Sequence, residues 1–430
     1  FPSSPLRLPR RRQCCLGSPV FKRKRRNRER EMSRGRRREI PPSCKTYGFP
    51  VYCASWIPLD QIPSAGEGRD DKAGEGRDGG SEAPSEGSAA PEVATRDEML
   101  LLLGGGGGEG RSGIPNALVL ARFDAASRSL SDEPVHKLTT GQDVPYRMAL
   151  HPRGDGILCS FPNGCRWFEW DLAVDMKVHK LGLTSSGRTL TPLKDGLQLS
   201  LVFNADGSLL ATGSEDGHTR IFKWPAMEAI LEQSETNQSV KDLDFSHDGK
   251  FFASVGNSGH CRIWDLNSLM IVANLSRDNG EKFGFCRFSQ LNGNAILYTT
   301  ANQGQFGRVA SWSTTSWNRI MSKKVVNDPI SAFSVSNDGK LLAVGTIEGD
   351  VVILKSNMQV HTTVKQAHLG LVTTLAFFQD SRALVSASFD SSARITLVEN
   401  KKGGGMSLWV IVFIILLAAI VYYLKANKLV

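Results

Sequence analysis

The chain repeats one short pattern along most of its length: an apolar strand, a turn built around Asp, a second apolar strand and a third. The turn aspartates of four clear copies are Asp206, Asp248, Asp338 and Asp380, which are separated by 42, 90 and 42 residues. Each unit is too short to bury its own apolar faces, so it must stack against its neighbours. The repeat therefore predicts one continuous architecture rather than a set of independent domains.

Two further copies complete the set. One of them, FCRFSQLNGNAILYTTANQGQFGRVASW, fills the long gap and turns near Asn292, and the other, YRMALHPRGDGILCSFPNGCRWFEWDL, precedes the first clear copy. Six units with a period of 42 to 50 residues, each with three recognisable short strands, are typical of a β-propeller with four-stranded blades. We therefore expect an all-β fold for this part of the chain.

A seventh blade, needed to close the ring, is predicted upstream. Residues 45–58 read as one strand, MLLLL as a second and 116–124 as a third. The intervening residues 59–98 are a low-complexity insert, with AGEGRDDKAGEGRDGG and SEAPSEGSAAPE, from which no core can form. The first strand is expected to complete the blade formed by 373–399, because this closes the ring without an exposed edge. The prediction is a seven-bladed propeller over 45–400.

The two ends of the chain differ from this propeller. The formal charge is +9, but residues 1–40 hold 15 Lys and Arg against 3 Asp and Glu, so the remainder is close to neutral. Residues 1–44 are predicted to be a basic disordered extension, with nucleic-acid binding or nuclear targeting as the alternative. The eight cysteines show no metal-type spacing, and without a secretory signal we expect free thiols in a reducing compartment.

The C-terminal region carries the longest apolar run. Residues 407–424, SLWVIVFIILLAAIVYYL, are 18 residues without a charge, a length of about 27 Å as a helix. Aromatic residues near both ends and flanking lysines are typical of a membrane span. We predict a single C-terminal transmembrane helix after a short linker at 401–406, with the propeller facing the cytosol and 425–430 as a lumenal tail.

A glycine run lies between two of the apolar strands of the first blade. Residues 104–116 read GGGGGEGRSGIPN, a connection far longer than the two to five residues of an ordinary hairpin. Ordering so many glycines costs conformational entropy, and long loops on rigid scaffolds usually carry function. The glycine loop is therefore the candidate functional site.

Several motifs together resemble known families. The dipeptides Trp170-Asp171 and Trp264-Asp265 fall where the third strand of a repeat is expected to end, as in WD-type propellers, although the usual buried His-Ser-Trp hydrogen-bond set is incomplete. The run LLGGGGGEGRSGIPNALVLARFD, with YGFPVYCASW, QAH at 366–368 and a C-terminal anchor, resembles the Sec-twelve and prolactin regulatory element-binding family. Members of that family are guanine nucleotide-exchange factors at the endoplasmic reticulum (ER) membrane. They activate the Sar-type small GTPase at the start of COPII coat assembly.

The resemblance implies a role for the loop. It implies an exchange loop, pressed against the GTPase, at Ile114, Pro115 and Asn116, and a bound potassium ion. The positions that match the potassium loop are Gly104, Gly105, Gly106, Gly107, Gly108, Glu109, Gly113 and Asn116. Backbone carbonyls suit potassium, and glycines can turn them inward without steric cost. The implied partners are the Sar-type GTPase, the ER membrane and, indirectly, the COPII machinery of ER-to-Golgi transport.

Two other functions remain open at the level of sequence. One is an ER propeller that assists cargo export without exchange activity, and the other is a nuclear or DNA-associated propeller scaffold suggested by the basic extension. The chain has no G-x-S-x-G, H-E-x-x-H or GKS/GKT motif. Nucleotide exchange forms no covalent bond, so we expect a GTPase regulator rather than an enzyme, with no organic cofactor and no nucleic-acid partner.

Overall fold

The computed structural model describes residues 41–58, 62, 98–108, 110, 112–175, 178–188, 190–193, 196–234, 238–398, 413 and 416–419. Residues 1–40 of the predicted extension, nearly all of the insert at 59–98, the linker at 401–406 and the tail at 425–430 lie outside this range. Among the described residues, no helix is long and apolar enough to cross a membrane. The predicted span at 407–424 is described at five positions only and stays a prediction.

Seven antiparallel sheets form the blades of the propeller, which confirms the predicted all-β class and blade number. Blade 1 contains β2 (Val51–Ile57), β3 (Glu98–Gly105), β4 (Asn116–Asp124), β5 (Ser129–Leu130) and β6 (His136–Gly141). Blade 2 contains β7 (Arg147–Leu150), β8 (Ile157–Phe161), β9 (Gly164–Asp175) and β10 (Val178–Ser185), and a short 3-10 helix, Thr191–Leu193, follows it. Blade 3 contains β11 (Gln198–Phe203), β12 (Leu209–Ser214), β13 (His218–Lys223) and β14 (Glu228–Ser234).

The remaining blades have the same order. Blade 4 contains β15 (Val240–Phe245), β16 (Phe251–Gly256), β17 (Cys261–Asp265) and β18 (Met270–Asn274). Blade 5 contains β19 (Glu281–Leu291), β20 (Asn294–Gln303), β21 (Phe306–Ser313) and β22 (Arg319–Val326). Blade 6 contains β23 (Ile330–Val335), β24 (Leu341–Thr346), β25 (Val351–Lys355) and β26 (Val360–Val364). Blade 7 contains β27 (Val372–Phe377), β28 (Ala383–Ser388) and β29 (Ser392–Leu397), with β1 (Cys44–Thr46) as its fourth strand.

The Asp-Gly turns form as the repeat predicts. The backbone N–H of Ser208 donates to Asp206 Oδ1 at 2.8 Å, and Gly207 takes a positive φ of 75° that few other residues tolerate. The apolar strand residues on either side pack between neighbouring blades. Trp264, for example, lies in a buried cluster with Ile221 of blade 3. Local turn chemistry and alternating apolar residues thus account for most of each blade.

The ring closes through its N-terminal strand. Cys44 pairs with Arg394 and Thr46 with Ser392, so β1 completes blade 7 as predicted. The expectation of one strand over 45–58 is wrong, because the chain breaks around Gly48, whose φ is +74°, and continues as β2 in blade 1. The same segment therefore supplies the last strand of one blade and the first strand of the next.

The WD-type features are distributed among the blades. Trp264-Asp265 ends β17 as expected, and the Trp264 indole N–H donates to Ser254 Oγ at 3.2 Å. The prediction for Trp170-Asp171 is wrong, because β9 pairs with β10 as far as Asp175. Blade 7 has the histidine and serine part of the set: the buried His368 has Nδ1 2.6 Å from Ser392 Oγ and Nε2 2.8 Å from Ser386 Oγ. The hydrogen-bond set is therefore present in parts, as the sequence indicates.

Candidate functional site

The glycine loop connects β3 to β4, the second and third strands of blade 1. Gly104 and Gly105 lie within β3, paired with Leu118 and Ala117, so the loop proper is 106–115. Both positions are closely packed: a Cβ on Gly104 would lie 2.8 Å from Cys53 Sγ, and one on Gly105 would lie 2.0 Å from the Pro50 carbonyl oxygen. These two glycines let β3 approach β2 closely and are not free loop residues.

A single buried amide holds the base of the loop. Asn116 Oδ1 accepts the Gly108 N–H at 3.0 Å, and Asn116 Nδ2 donates to the Gly141 carbonyl at 3.1 Å and the Gly108 carbonyl at 3.4 Å. The Gly106 N–H donates to the Pro50 carbonyl at 3.0 Å. A Cβ on Gly106 would lie 2.0 Å from Asn116 Oδ1, so glycine is required where the backbone meets this amide. The loop is thus joined to three separate segments of the blade.

The outer part of the loop faces solvent. The Ile114 side chain is 38% exposed, and Ile114 lies between Gly113, with a φ of +70°, and Pro115, whose ring restricts its own φ. The Ile114 N–H donates to Ser112 Oγ at 3.3 Å. The outer end of the loop therefore presents an apolar side chain to solvent.

The structure brings most of the predicted site residues together. Asn116, Gly106 and Gly108 meet at the base of the loop, whereas Ile114 and Pro115 lie at its outer end. Glu109 lies outside the described residues. The carbonyls of Pro50 and Gly141 also hold the loop, although the sequence did not single out either residue for this role. Both act through the backbone, so their side chains carry no signal of the contact.

The described residues of the loop are compatible with a potassium ion. Among the residues that the structure describes, no group of three or more His, Cys, Asp or Glu could hold a metal. Potassium does not need such a group, because carbonyl and hydroxyl oxygens satisfy it. The loop offers the backbone carbonyls of its glycines, the Ser112 hydroxyl and the Asn116 amide oxygen. This donor set fits a hard, singly charged cation.

The cysteine nearest the loop is chemically quiet. Cys53 lies beneath Gly104, and burial raises the pKa of its thiol to about 12, so the thiol stays protonated at neutral pH. Cys159 is also buried and free, and the hairpin of β8 and β9 carries both Cys159 and Cys165.

Comparisons with known proteins relate the chain to one family. The WD domain, G-beta repeat family matches residues 188–223, 229–265 and 359–396. The chain is 44% identical to SEC12-like protein 2 of Arabidopsis thaliana over 364 residues, which cover 84% of this chain and 89% of the relative. It is 30% identical to SEC12-like protein 1 of the same plant over 314 residues, covering 71% of this chain and 77% of the relative.

More distant matches come from a curated mouse protein and from a solved structure. The chain is 26% identical to the guanine nucleotide-exchange factor SEC12 of Mus musculus over 269 residues, or 56% of this chain and 63% of the relative. A solved structure titled "COPII on membranes, outer coat vertex" is similar with a TM-score of 0.60 at 16% identity, covering 71% of this chain and 82% of the other. At that identity the likeness shows the propeller fold alone. From the sequence relatives and the seven blades together, the chain belongs to the SEC12-like family of WD-repeat β-propellers.

Proposed function

We propose that this chain is a guanine nucleotide-exchange factor that activates a Sar-type small GTPase at the ER membrane and so starts COPII coat assembly. Its family membership supports the proposal, and the related mouse protein is named as an exchange factor. The observation that carries it is the glycine loop, whose base is held by Asn116 and whose outer end presents Ile114.

Exchange requires differential binding rather than covalent chemistry. A factor that binds the nucleotide-free GTPase more tightly than the GDP-bound form accelerates release, and a thousandfold acceleration needs about 4 kcal/mol of such difference. GDP is held by the phosphate loop and switch segments of a small GTPase, so displacing a switch is sufficient. A loop that is already ordered before binding loses little conformational entropy when it contacts the GTPase, so more of the contact free energy appears as affinity. Ile114 and Pro115 would make the contact, and Asn116 would keep the loop in shape.

A potassium ion would contribute order to the same loop. The residues that would hold it are the glycines from Gly106 to Gly108, Ser112 and Asn116, through carbonyl, hydroxyl and amide oxygens. Bound there, the ion would link the segments that carry these oxygens and so limit the motion of the loop. The chain's own contribution is the Asn116 amide, which bonds to both Gly108 and Gly141.

Location would restrict the activity to one membrane. The apolar run at 407–424 is proposed as a single-pass anchor, with the propeller on the cytosolic side. Confinement to a bilayer raises the effective concentration of any partner that visits the same surface. Removing residues 406–430 is expected to release the protein from ER membranes in a fractionation assay. Retention on the membrane would contradict this assignment.

The decisive experiment is a nucleotide-release assay. The full chain in detergent is mixed with a Sar-type GTPase loaded with fluorescent GDP, and the release rate is followed after adding excess GTP. We expect release to be accelerated by at least a hundredfold at saturation. A rate equal to the spontaneous one, with a folded propeller, would refute exchange activity and favour a cargo-export role without exchange.

A further inference from the structure

Four blades carry the same tight turn between their second and third strands. In each turn the backbone N–H of the residue after the second strand donates to the carbonyl of the residue just before the first strand of the same blade. These bonds join Glu215 to Leu197, Asn257 to Ser239, Ile347 to Pro329 and Phe389 to Leu371, at 3.0, 2.8, 3.1 and 3.4 Å. The four residues are therefore structurally equivalent. Because Glu215 and Asn257 serve in blades 3 and 4, the fold itself does not require an apolar residue here.

Blades 6 and 7 nevertheless place large apolar residues at this exposed position. Ile347 is 40% exposed and Phe389 is 41% exposed, and Leu369, in the loop that leads into blade 7, is 81% exposed. Exposed apolar residues that stand singly are ordinary, but a contiguous group of them marks an interaction surface. The question is therefore whether these three residues are contiguous.

Two hydrogen bonds join them into one band. The Leu369 N–H donates to Asp390 Oδ2 at 2.6 Å, which ties Leu369 to the turn that carries Phe389. The His368 N–H donates to the Gly349 carbonyl at 3.1 Å, which ties the same loop to the turn that carries Ile347. Together these bonds draw Ile347, Leu369 and Phe389 to the same side of blades 6 and 7.

The band continues to the glycine loop. The Phe389 ring meets the Tyr52 ring edge-on, with centroids 5.0 Å apart, and Tyr52 follows Pro50 by two residues. The Pro50 carbonyl is the atom that accepts the Gly106 N–H. The glycine loop and the turns of Ile347 and Phe389 all connect a second strand to a third strand, so they share one face of the ring. We call Tyr52, Ile347, Leu369 and Phe389 the apolar arc.

We propose that the apolar arc is the docking surface for the GTPase whose nucleotide the glycine loop displaces, and that an apolar surface beside the nucleotide site of that GTPase covers it. The inference rests on the proposed function and adds the orientation of the partner. A stable protein interface buries about 800 Å² on each side, more than one exposed isoleucine and its neighbours can supply. The arc is continuous with the loop and provides the additional area.

The arc also sets the direction in which the partner lies. The equivalent turns of blades 3 and 4 carry Glu215 and Asn257 in place of apolar residues. An apolar partner surface loses less by covering the apolar arc than by covering the Glu215 carboxylate and the Asn257 amide, which would have to be desolvated. The arc thus supplies affinity, whereas Ile114 supplies the displacement.

The test separates affinity from turnover. Leu369→Ser and Phe389→Ser are made in the full chain, and release of fluorescent GDP from the Sar-type GTPase is measured over a range of GTPase concentrations. Each variant is expected to raise KM about tenfold, with kcat changed by less than twofold, because each removes an anchor that binds before and during displacement alike. Met270→Ser and Val360→Ser, at exposed apolar positions on the outer strands β18 and β26, are matched controls expected to keep the wild-type KM.

Each outcome bears on a different proposal. If the wild-type chain accelerates release and KM is unchanged in both arc variants, the docking surface is refuted while exchange activity stands. If the control variants raise KM as much as the arc variants do, the effect is not specific to the arc and the inference is refuted. If the wild-type chain does not accelerate release, the proposed function fails and the arc fails with it.

Discussion

Replacing Asn116 by alanine tests whether a pre-ordered glycine loop performs the exchange. The substitution removes the acceptor for the Gly108 N–H and the donor to the Gly141 carbonyl, bonds of 3.0 and 3.1 Å, together with a longer contact of 3.4 Å to the Gly108 carbonyl. The strand pairing of Asn116 depends on backbone atoms and is retained. Loop order should therefore be lost without loss of the blade.

The size of the effect follows from these bonds. Two ordinary hydrogen bonds contribute about 1 kcal/mol each to the ordered loop. A loss of about 2 kcal/mol reduces the ratio of ordered to disordered loop by about 30-fold, since each 1.4 kcal/mol is tenfold. If only the ordered loop displaces the GTPase switch, the exchange rate should fall by up to about 30-fold, and the full factor applies where the disordered loop predominates in the variant. Asn116→Asp keeps the acceptor but turns a buried carboxylate oxygen toward the Gly108 and Gly141 carbonyls, so its rate should be no higher than that of Asn116→Ala.

The assay is release of fluorescent GDP, with Asn302→Ala as the matched control. Asn302 makes a similar pair of bonds in blade 5, where its Oδ1 accepts the Ile330 N–H at 2.9 Å and its Nδ2 donates to the Ile330 carbonyl at 3.2 Å. That variant should lower the unfolding midpoint and leave exchange per folded molecule unchanged. A wild-type rate in Asn116→Ala, or an equal loss in Asn302→Ala, would refute the reasoning.

Three other outcomes are expected. Gly106→Ala should reduce exchange more than Gly113→Ala. A Cβ at Gly106 would lie 2.0 Å from Asn116 Oδ1, whereas one at Gly113 has no neighbour within 4 Å and strains only the backbone. Equal losses in the two variants would contradict the role of Asn116 in ordering the loop. Nucleotide exchange should be slower in sodium salts than in potassium salts of the same ionic strength, and equal rates would contradict a potassium ion that orders the glycine loop. Alkylation of Cys53 at pH 8, followed by mass spectrometry, should be much slower than for a free thiol, because Cys53 is buried and burial raises the pKa of its thiol to about 12; rapid modification would mean that blade 1 opens readily.

The repeat turns show why so much of this fold could be predicted. Asp206 and Gly207 act on residues within two positions of themselves, and the strands beside them alternate or run apolar within a few residues. The same local signals exist in six copies, so an error in one copy is corrected by the others. The failure at 45–58 is equally instructive, because Gly48 and Pro50 break the strand and nothing local shows that its two halves join different blades.

The candidate site was predictable only in part. The length of the glycine loop and the exposure of Ile114 are apparent in residues 104–116. The bonds from the loop to Pro50 and Gly141 are not, because they run to backbone atoms of segments far from it in sequence. The true end of β9 is not apparent in the sequence either, because pairing with the long strand β10 extends β9 beyond Trp170 to Asp175.

By itself, the sequence determined the strands, their turns, the number of blades and the segment that could serve as a functional loop, since all of these depend on contacts between near neighbours in the chain. Only the tertiary structure decided that Tyr52, Leu369 and Phe389 meet on one face beside that loop. Tyr52 comes from the second strand of the chain and Phe389 from a turn in the last blade. Ring closure brings them together, and ring closure is a property of all seven blades at once.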